Sequence, residues 1–421
     1  MKKNLLANAP AFIMAAAFMT GGVISAVPAR ATIVNPPDAK ITRAVERELL
    51  LSHRVPSHWI DVQTDGGIVT LTGSVDNLLA RDRATELARS LKGVRAVVNR
   101  VTVQTPPRPD LKIRNDVIGA LAADPVADAY EVIVKAQDGV VTLNGKVQSW
   151  VEKQLAERLV KGVNGVREVK NEIIFEPATS RTDSEIAADV RSRLKWNPRI
   201  DDGLIKVEVK EGEVFLKGAV GSAAEKNFAY ADAWVDGVKF VNSSDLKVEW
   251  WARHKMRRGQ ACAERSNEDL RLAVMGAFMS DPRVSFFKPE IEVENYVVTL
   301  TGTVDNLKAK RAAGINAKNT VCILRVKNHL KVRPFKVLPD KTIAEEARAA
   351  LERDSQISGA DIAVSVSNSK VFLYGEVDSI YDLMQAEDLA SRINGVVEVQ
   401  NNLRVHDILN VKTDREIKEG S

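Results

Sequence analysis

The side chains best suited to catalysis or metal binding are few and scattered. The chain carries five histidines, His53, His58, His254, His329 and His406, and two cysteines, Cys262 and Cys322. A structural zinc site needs four Cys or His ligands at close spacing, and no His-x-x-x-His pair stands in the sequence. A serine nucleophile elbow is also missing. The glycine pairs do not form a phosphate loop: Gly21-Gly22 lies in an apolar N-terminal stretch and Gly66-Gly67 in a hairpin signal. The acids Glu46, Glu48, Asp116 and Asp189 fit a solvated helix face. These patterns imply a non-catalytic chain with no cofactor, no metal and no small-molecule substrate.

The N-terminus reads differently. Lys2 and Lys3 precede an uncharged apolar stretch from Ala11 to Val27, followed by Ala29-Arg30-Ala31. That order is expected of a secretory signal peptide, residues 1–31, with an uncleaved anchor as the alternative. Export into an oxidising compartment makes a Cys262–Cys322 disulfide a candidate. The formal net charge of +4 over 421 residues is too weak for a dedicated nucleic-acid binder.

The elements that position everything else come from a repeat. VTLTGSVDN (Val69 to Asn77) returns almost unchanged as VTLTGTVDN (Val298 to Asn306). Weaker copies are VTLNGKVQS, VFLKGAVGS and VFLYGEVDS. Their glycines, Gly73, Gly145, Gly218, Gly302 and Gly375, are 72, 73, 84 and 73 residues apart. A period this long makes each copy a small domain.

Each copy has one internal order. Asp38, Asp110, Asp183, Asn267 and Asp340 are expected as N-caps of a first helix. Apolar residues follow in steps of four, as in Ile41, Val45 and Leu49. An alternating strand, a Gly-bearing turn and the repeated strand come next. The mid-strand glycine argues for a helix backbone or a bulge lying close against it. Asn77, Ser149, Ser222, Asn306 and Ser379 then cap a second helix, and a third strand such as VVNRVTV closes the unit. The expected fold class is α+β: five tandem αββαβ domains, each with two helices on one face of a three-stranded mixed sheet. The expected boundaries are 38–103, 110–176, 183–249, 267–333 and 340–406. A basic linker spans 250–266, Pro-bearing linkers space the domains semi-rigidly, and residues 407–421 are expected as a disordered tail.

Carried by VTLTGSVDN, the Ala-rich helix after it and GVRAVVNRVTV from Gly93 to Val103, the chain resembles the BON (bacterial OsmY and nodulation) domain family over residues 38 to 406. The resemblance implies an export-compartment protein, often stress-induced, that associates with phospholipid membranes or other envelope proteins. It implies no shared catalytic residues.

The copies differ most in charge. Domain 4 carries +4 and domain 5 carries −6, while linker 250–266 adds +4. Trp250 and Trp251 beside Arg253, Lys255, Arg257 and Arg258 suit a lipid headgroup boundary. Lys308, Lys310 and Arg311 extend this candidate lipid-binding patch. The competing reading packs both tryptophans on domain 3. Trp150 and Tyr381, at the start of second helices, are candidate exposed apolar tips, and Trp59, Trp196 and Phe286-Phe287 are ambiguous. Two functions follow. One is a periplasmic protein, peripheral to a membrane, that binds anionic phospholipid surfaces multivalently under osmotic or envelope stress. The other is a protein-binding or chaperone-like adaptor for envelope proteins or unfolded clients. Neither involves nucleic acid.

Overall fold

The computed structural model describes residues 35–52, 55, 59–124, 126–127, 131–176, 181–255, 262, 265–357 and 359–406. The signal-peptide segment, Arg257, Arg258 and the C-terminal tail lie outside the described residues.

Each domain is built as helix, strand, strand, helix, strand. The helix pairs are α1 (Asp38–Leu51) and α2 (Leu78–Ser90), α3 (Asp110–Ala123) and α4 (Trp150–Lys161), α5 (Asp183–Trp196) and α6 (Ala223–Asp232), α7 (Asn267–Met279) and α8 (Leu307–Lys318), and α9 (Asp340–Arg353) and α10 (Ile380–Arg392). In every sheet the repeated strand is central. It is antiparallel to the first strand and parallel to the third, as in Val62↔Leu71 and Val69↔Val97. The stripe Ile41, Val45, Leu49 buries against Val69, Leu71 and Val75, and the other domains repeat this core. No helix among the described residues is long and apolar enough to cross a membrane.

The aspartates expected as first-helix caps have a different task. The caps are Pro37, Pro109, Thr182, Ser266 and Pro339, one residue earlier. Asp38 instead accepts hydrogen bonds from the Gly66 and Gly67 N–H groups at 2.8 and 2.9 Å. Asp110, Asp183 and Asp340 repeat this bond to their own hairpin turns. A carboxylate in a helix's first turn thus ties that helix to the hairpin 28 residues on and also sits at the positive end of the helix dipole. The second-helix caps stand where expected, and Ser149 with Glu152 forms a full capping box.

The mid-strand glycine is explained by a neighbouring strand rather than by a helix. Gly73 has φ +113°, and a Cβ there would lie 1.9 Å from the Trp59 carbonyl oxygen, just ahead of the first strand. In domain 4 the crowding is absent: the nearest atom to a Cβ on Gly302 would be 3.9 Å away. The third strand is interrupted in domains 1 to 4 and continuous in domain 5. An asparagine there, which the sequence reading missed, fastens it to the second helix. Asn99 donates to the Arg81 carbonyl, and Asn171, Asn328 and Asn401 do the same to Lys153, Lys310 and Leu383.

Candidate functional site

The domains are not spaced apart by their linkers; from Asn35 onward the described residues cluster as one compact unit. A recurring contact joins four of the domain pairs, and its key residue is the first of a second helix. Leu78 of domain 1 is fully buried in the core of domain 2. Trp150 of domain 2 packs into domain 3, stacked 5.2 Å from Trp234 and edge-on to Tyr230. Ala223 of domain 3 is 7% exposed and joins the core of domain 1. Domains 1, 2 and 3 therefore close a ring, each helix tip entering the next domain. Leu307 of domain 4 enters domain 5 in the same way.

The end of the third strand accompanies the tip. Val103 packs on the cores of domains 1 and 2, Phe175 on those of 2 and 3, and Val332 on those of 4 and 5. Fully burying an apolar side chain of this size contributes roughly 1.5–3 kcal/mol, and these half-buried ones contribute a part of that. Ion pairs frame the contacts: Asp82 of α2 meets Lys161 of α4 at 2.9 Å, and Lys308 and Arg311 of α8 meet Asp388 and Glu387 of α10. The two sets are joined by a second repeated contact. The Asn164 N–H donates to the Arg353 carbonyl between domains 2 and 5, and the Val321 N–H to the Trp196 carbonyl between domains 4 and 3, both at equivalent positions.

This arrangement corrects much of the expected lipid patch. Trp250 is 9% exposed, beneath the Lys92 ammonium of domain 1 at 4.2 Å. It packs because the third strand of domain 3 ends at Val248 and the chain turns at once into a 3₁₀ segment, Trp250–Lys255, which includes Arg253 and Lys255. Lys308 is buried and Arg311 is paired, so neither faces solvent as a free cation; Lys310 is half-buried. Burial and the adjacent Arg392 guanidinium lower Lys308 to about 8, with Asp388 opposing them. Burial alone would raise the Asp388 carboxyl, but Arg392 and Lys308 hold it well below the usual carboxylate range. Trp251 stays 39% exposed. Trp150 is not an exposed tip, because domain 3 covers it.

Cys262 and Cys322 are joined in a disulfide. Cys322 occupies the position held elsewhere by a glycine and keeps the positive φ, +69°. Trp196 lies under Arg265 and Lys195, Phe287 packs on the core of domain 4, and Trp59 and Phe286 are exposed.

Where α2, α4 and α6 approach domain 5, a cavity of about 1040 Å³ opens, lined by both charge signs, including Glu86, Glu157, Arg158 and Arg392. Among the described residues no cluster of His, Cys, Asp or Glu is placed to hold a metal ion.

Among the described residues, one tip lacks a covering domain. Ile380, first residue of α10, is 62% exposed, and Met384 and Val405 beside it are exposed as well. The sequence did not separate it from the four covered tips, since all but Ala223 are large apolar residues.

Five matches to the BON domain model cover residues 37–105, 109–177, 182–249, 266–334 and 339–407. The chain belongs to the BON domain family. Osmotically-inducible protein Y of Escherichia coli is 31% identical over 143 residues, which is 32% of this chain and 71% of that protein. The outer membrane lipoprotein DolP of Haemophilus influenzae is 35% identical over 108 residues, 25% of this chain and 56% of that protein. A solved C-terminal domain of CdsD, a structural protein of the type III secretion system of Chlamydia trachomatis, matches 51% of this chain and all of that one. Its identity is 14% and its TM-score 0.15, which carries no argument. The two curated relatives are thus similar to only part of this five-BON array.

Proposed function

We propose that this chain is a non-catalytic, periplasmic envelope protein that serves as a docking scaffold. Its five BON domains form one body, and the open helix tip of domain 5 engages other proteins. The observation that carries this reading is the tip-into-neighbour contact, used four times within the chain and left uncovered at Ile380. A solvated apolar tip whose four counterparts are each covered by a neighbouring domain is what a protein interaction surface requires. The names of the relatives, an osmotically inducible protein and an outer membrane lipoprotein, support the envelope and osmotic stress as the setting. A photo-crosslinking residue at position 380, with one at buried position 78 as control, tests this in intact cells. Protein adducts at 380 and none at 78 are expected. Adducts with lipid alone at 380, or none, would refute the docking reading.

A second reading, peripheral contact with anionic phospholipid, keeps support from exposed Trp251 next to the basic run 253–258. It no longer draws on Trp250, Lys308 or Arg311. Co-sedimentation with anionic and neutral vesicles, comparing the wild type with a variant changed to Ala at Trp251, Arg257 and Arg258, tests it. Salt-sensitive, anionic-selective binding lost in the variant is the expected result.

A further inference from the structure

The open tip of domain 5 has a counterpart on the same chain. In three of the tip contacts the first turns of the entering helix meet the C-terminal half of the receiving second helix or the residues just past its end. Twelve residues after the cap of domain 2, Lys161 receives Asp82; twelve after the cap of domain 3, Trp234 receives Trp150. Nine residues after the cap of domain 5, Asp388 receives Lys308. The equivalent positions in domain 4 are Ile315 and Lys318, nine and twelve residues after Asn306. Both are exposed. Ile315, Lys318 and Met384 of domain 5 line one cleft of about 450 Å³ between α8 and α10.

Within one chain α10 already reaches that cleft through Met384, but Ile380 at its tip stays 62% exposed and is not seated on domain 4. Domain 4 already inserts Leu307 into domain 5, and closing the circle took three domains in the ring of domains 1 to 3. One chain therefore presents an open tip and an open receiving face of the same kind, on domains of opposite charge. Domain 5 carries −6 and domain 4 +4, so the match of 5 with 4 is attractive and 5 with 5 or 4 with 4 is repulsive.

We infer that a second copy of this chain covers both surfaces: the domain 5 tip of each copy seats on the domain 4 face of the other. Two such contacts related by a twofold close a dimer and leave neither surface open. The inference rests on the docking reading above and names the partner. At the contact, Ile380 takes the place that Leu307 takes in domain 5, lying on Ile315 and Lys318 of the other copy.

Sedimentation equilibrium of residues 32–421 from about 1 to 100 µM tests this, with Ile380→Asp, Ile315→Asp and an equimolar mixture of these two variants. All altered side chains are exposed, so the fold is kept. Expected are a dimer in the wild type, at least tenfold weaker dimers in each single variant, and partial recovery in the mixture, where one of the two contacts joins an unaltered tip to an unaltered face. A monomer at every concentration, a dimer indifferent to the single variants, or a ladder of larger species would overturn it. A monomer that still crosslinks to another protein through position 380 would remove the second copy as occupant and leave the docking reading standing.

Discussion

Replacing Trp150 by Ala should loosen domain 3 from domain 2 while both domains stay folded. The indole is half-buried, so of the roughly 200 Å² an aromatic side chain can bury, about 100 Å² is withdrawn from water here. At ~25 cal/mol per Å² this contributes about 2.5 kcal/mol. The stack on Trp234 at 5.2 Å and the edge contact with Tyr230 add about 0.5–1.5 kcal/mol. The expected loss is therefore about 3–4 kcal/mol, felt at the interface. A 421-residue array does not unfold in one step, so the proper assay is amide hydrogen exchange followed by mass spectrometry, which reads local opening. Peptides covering the end of α6, up to Trp234, should exchange more than a hundredfold faster in the variant. Ile380→Ala at the equivalent position of domain 5 should change exchange in the isolated monomer by less than threefold, because that side chain is 62% exposed. If Trp150→Ala changes the α6 region by less than threefold, or acts only within α4, the tip is not what holds domain 3 and the reasoning fails.

Gly73→Ala and Gly302→Ala should separate two kinds of strain. Both glycines have φ +113°, but only at Gly73 would the new Cβ meet a carbonyl oxygen, at 1.9 Å. Gly302→Ala should cost about 1–3 kcal/mol from the backbone angle alone and Gly73→Ala clearly more, read as exchange of the two central strands; equal costs would refute the close-approach account. Lys308→Met should be neutral to stabilising by up to ~2 kcal/mol at pH 7, since Asp388 keeps Arg392. A lysine lowered to about 8 binds fewer protons folded than unfolded between about pH 8 and 10.5. Wild-type stability should therefore rise with pH across that window relative to the variant, and a fall would show that the pair with Asp388 outweighs burial. Cys262→Ser with Cys322→Ser should destabilise domain 4 by up to ~4 kcal/mol, the chain-entropy value for a loop of this length. Domain 4 of the reduced wild type should denature like the variant and that of the oxidised wild type later; no difference between oxidised and reduced wild type would remove the bond's role.

The sequence alone determined the domain. Steps of four in the first helix, alternation in the strands, the recurring glycine and the second-helix caps are local patterns. Each reports which face of its own element is buried. They were enough for five αββαβ units and their order. They could not give Asp38 its partner, because the hairpin turn it binds lies 28 residues away and an N-cap aspartate looks the same in sequence. Only the tertiary structure decided what the first residue of each second helix does. Leu78, Trp150, Leu307 and Ile380 share a type and a position, and their different burial depends on whether another domain stands opposite. Ala223 meets a core built from residues 41 to 101, and no local period encodes a distance like that. The charged and aromatic residues 250–255 and 308–311 look like a surface patch for the same reason: sequence gives charge and hydropathy, whereas burial beneath Lys92 or against Asp388 follows from how whole domains pack.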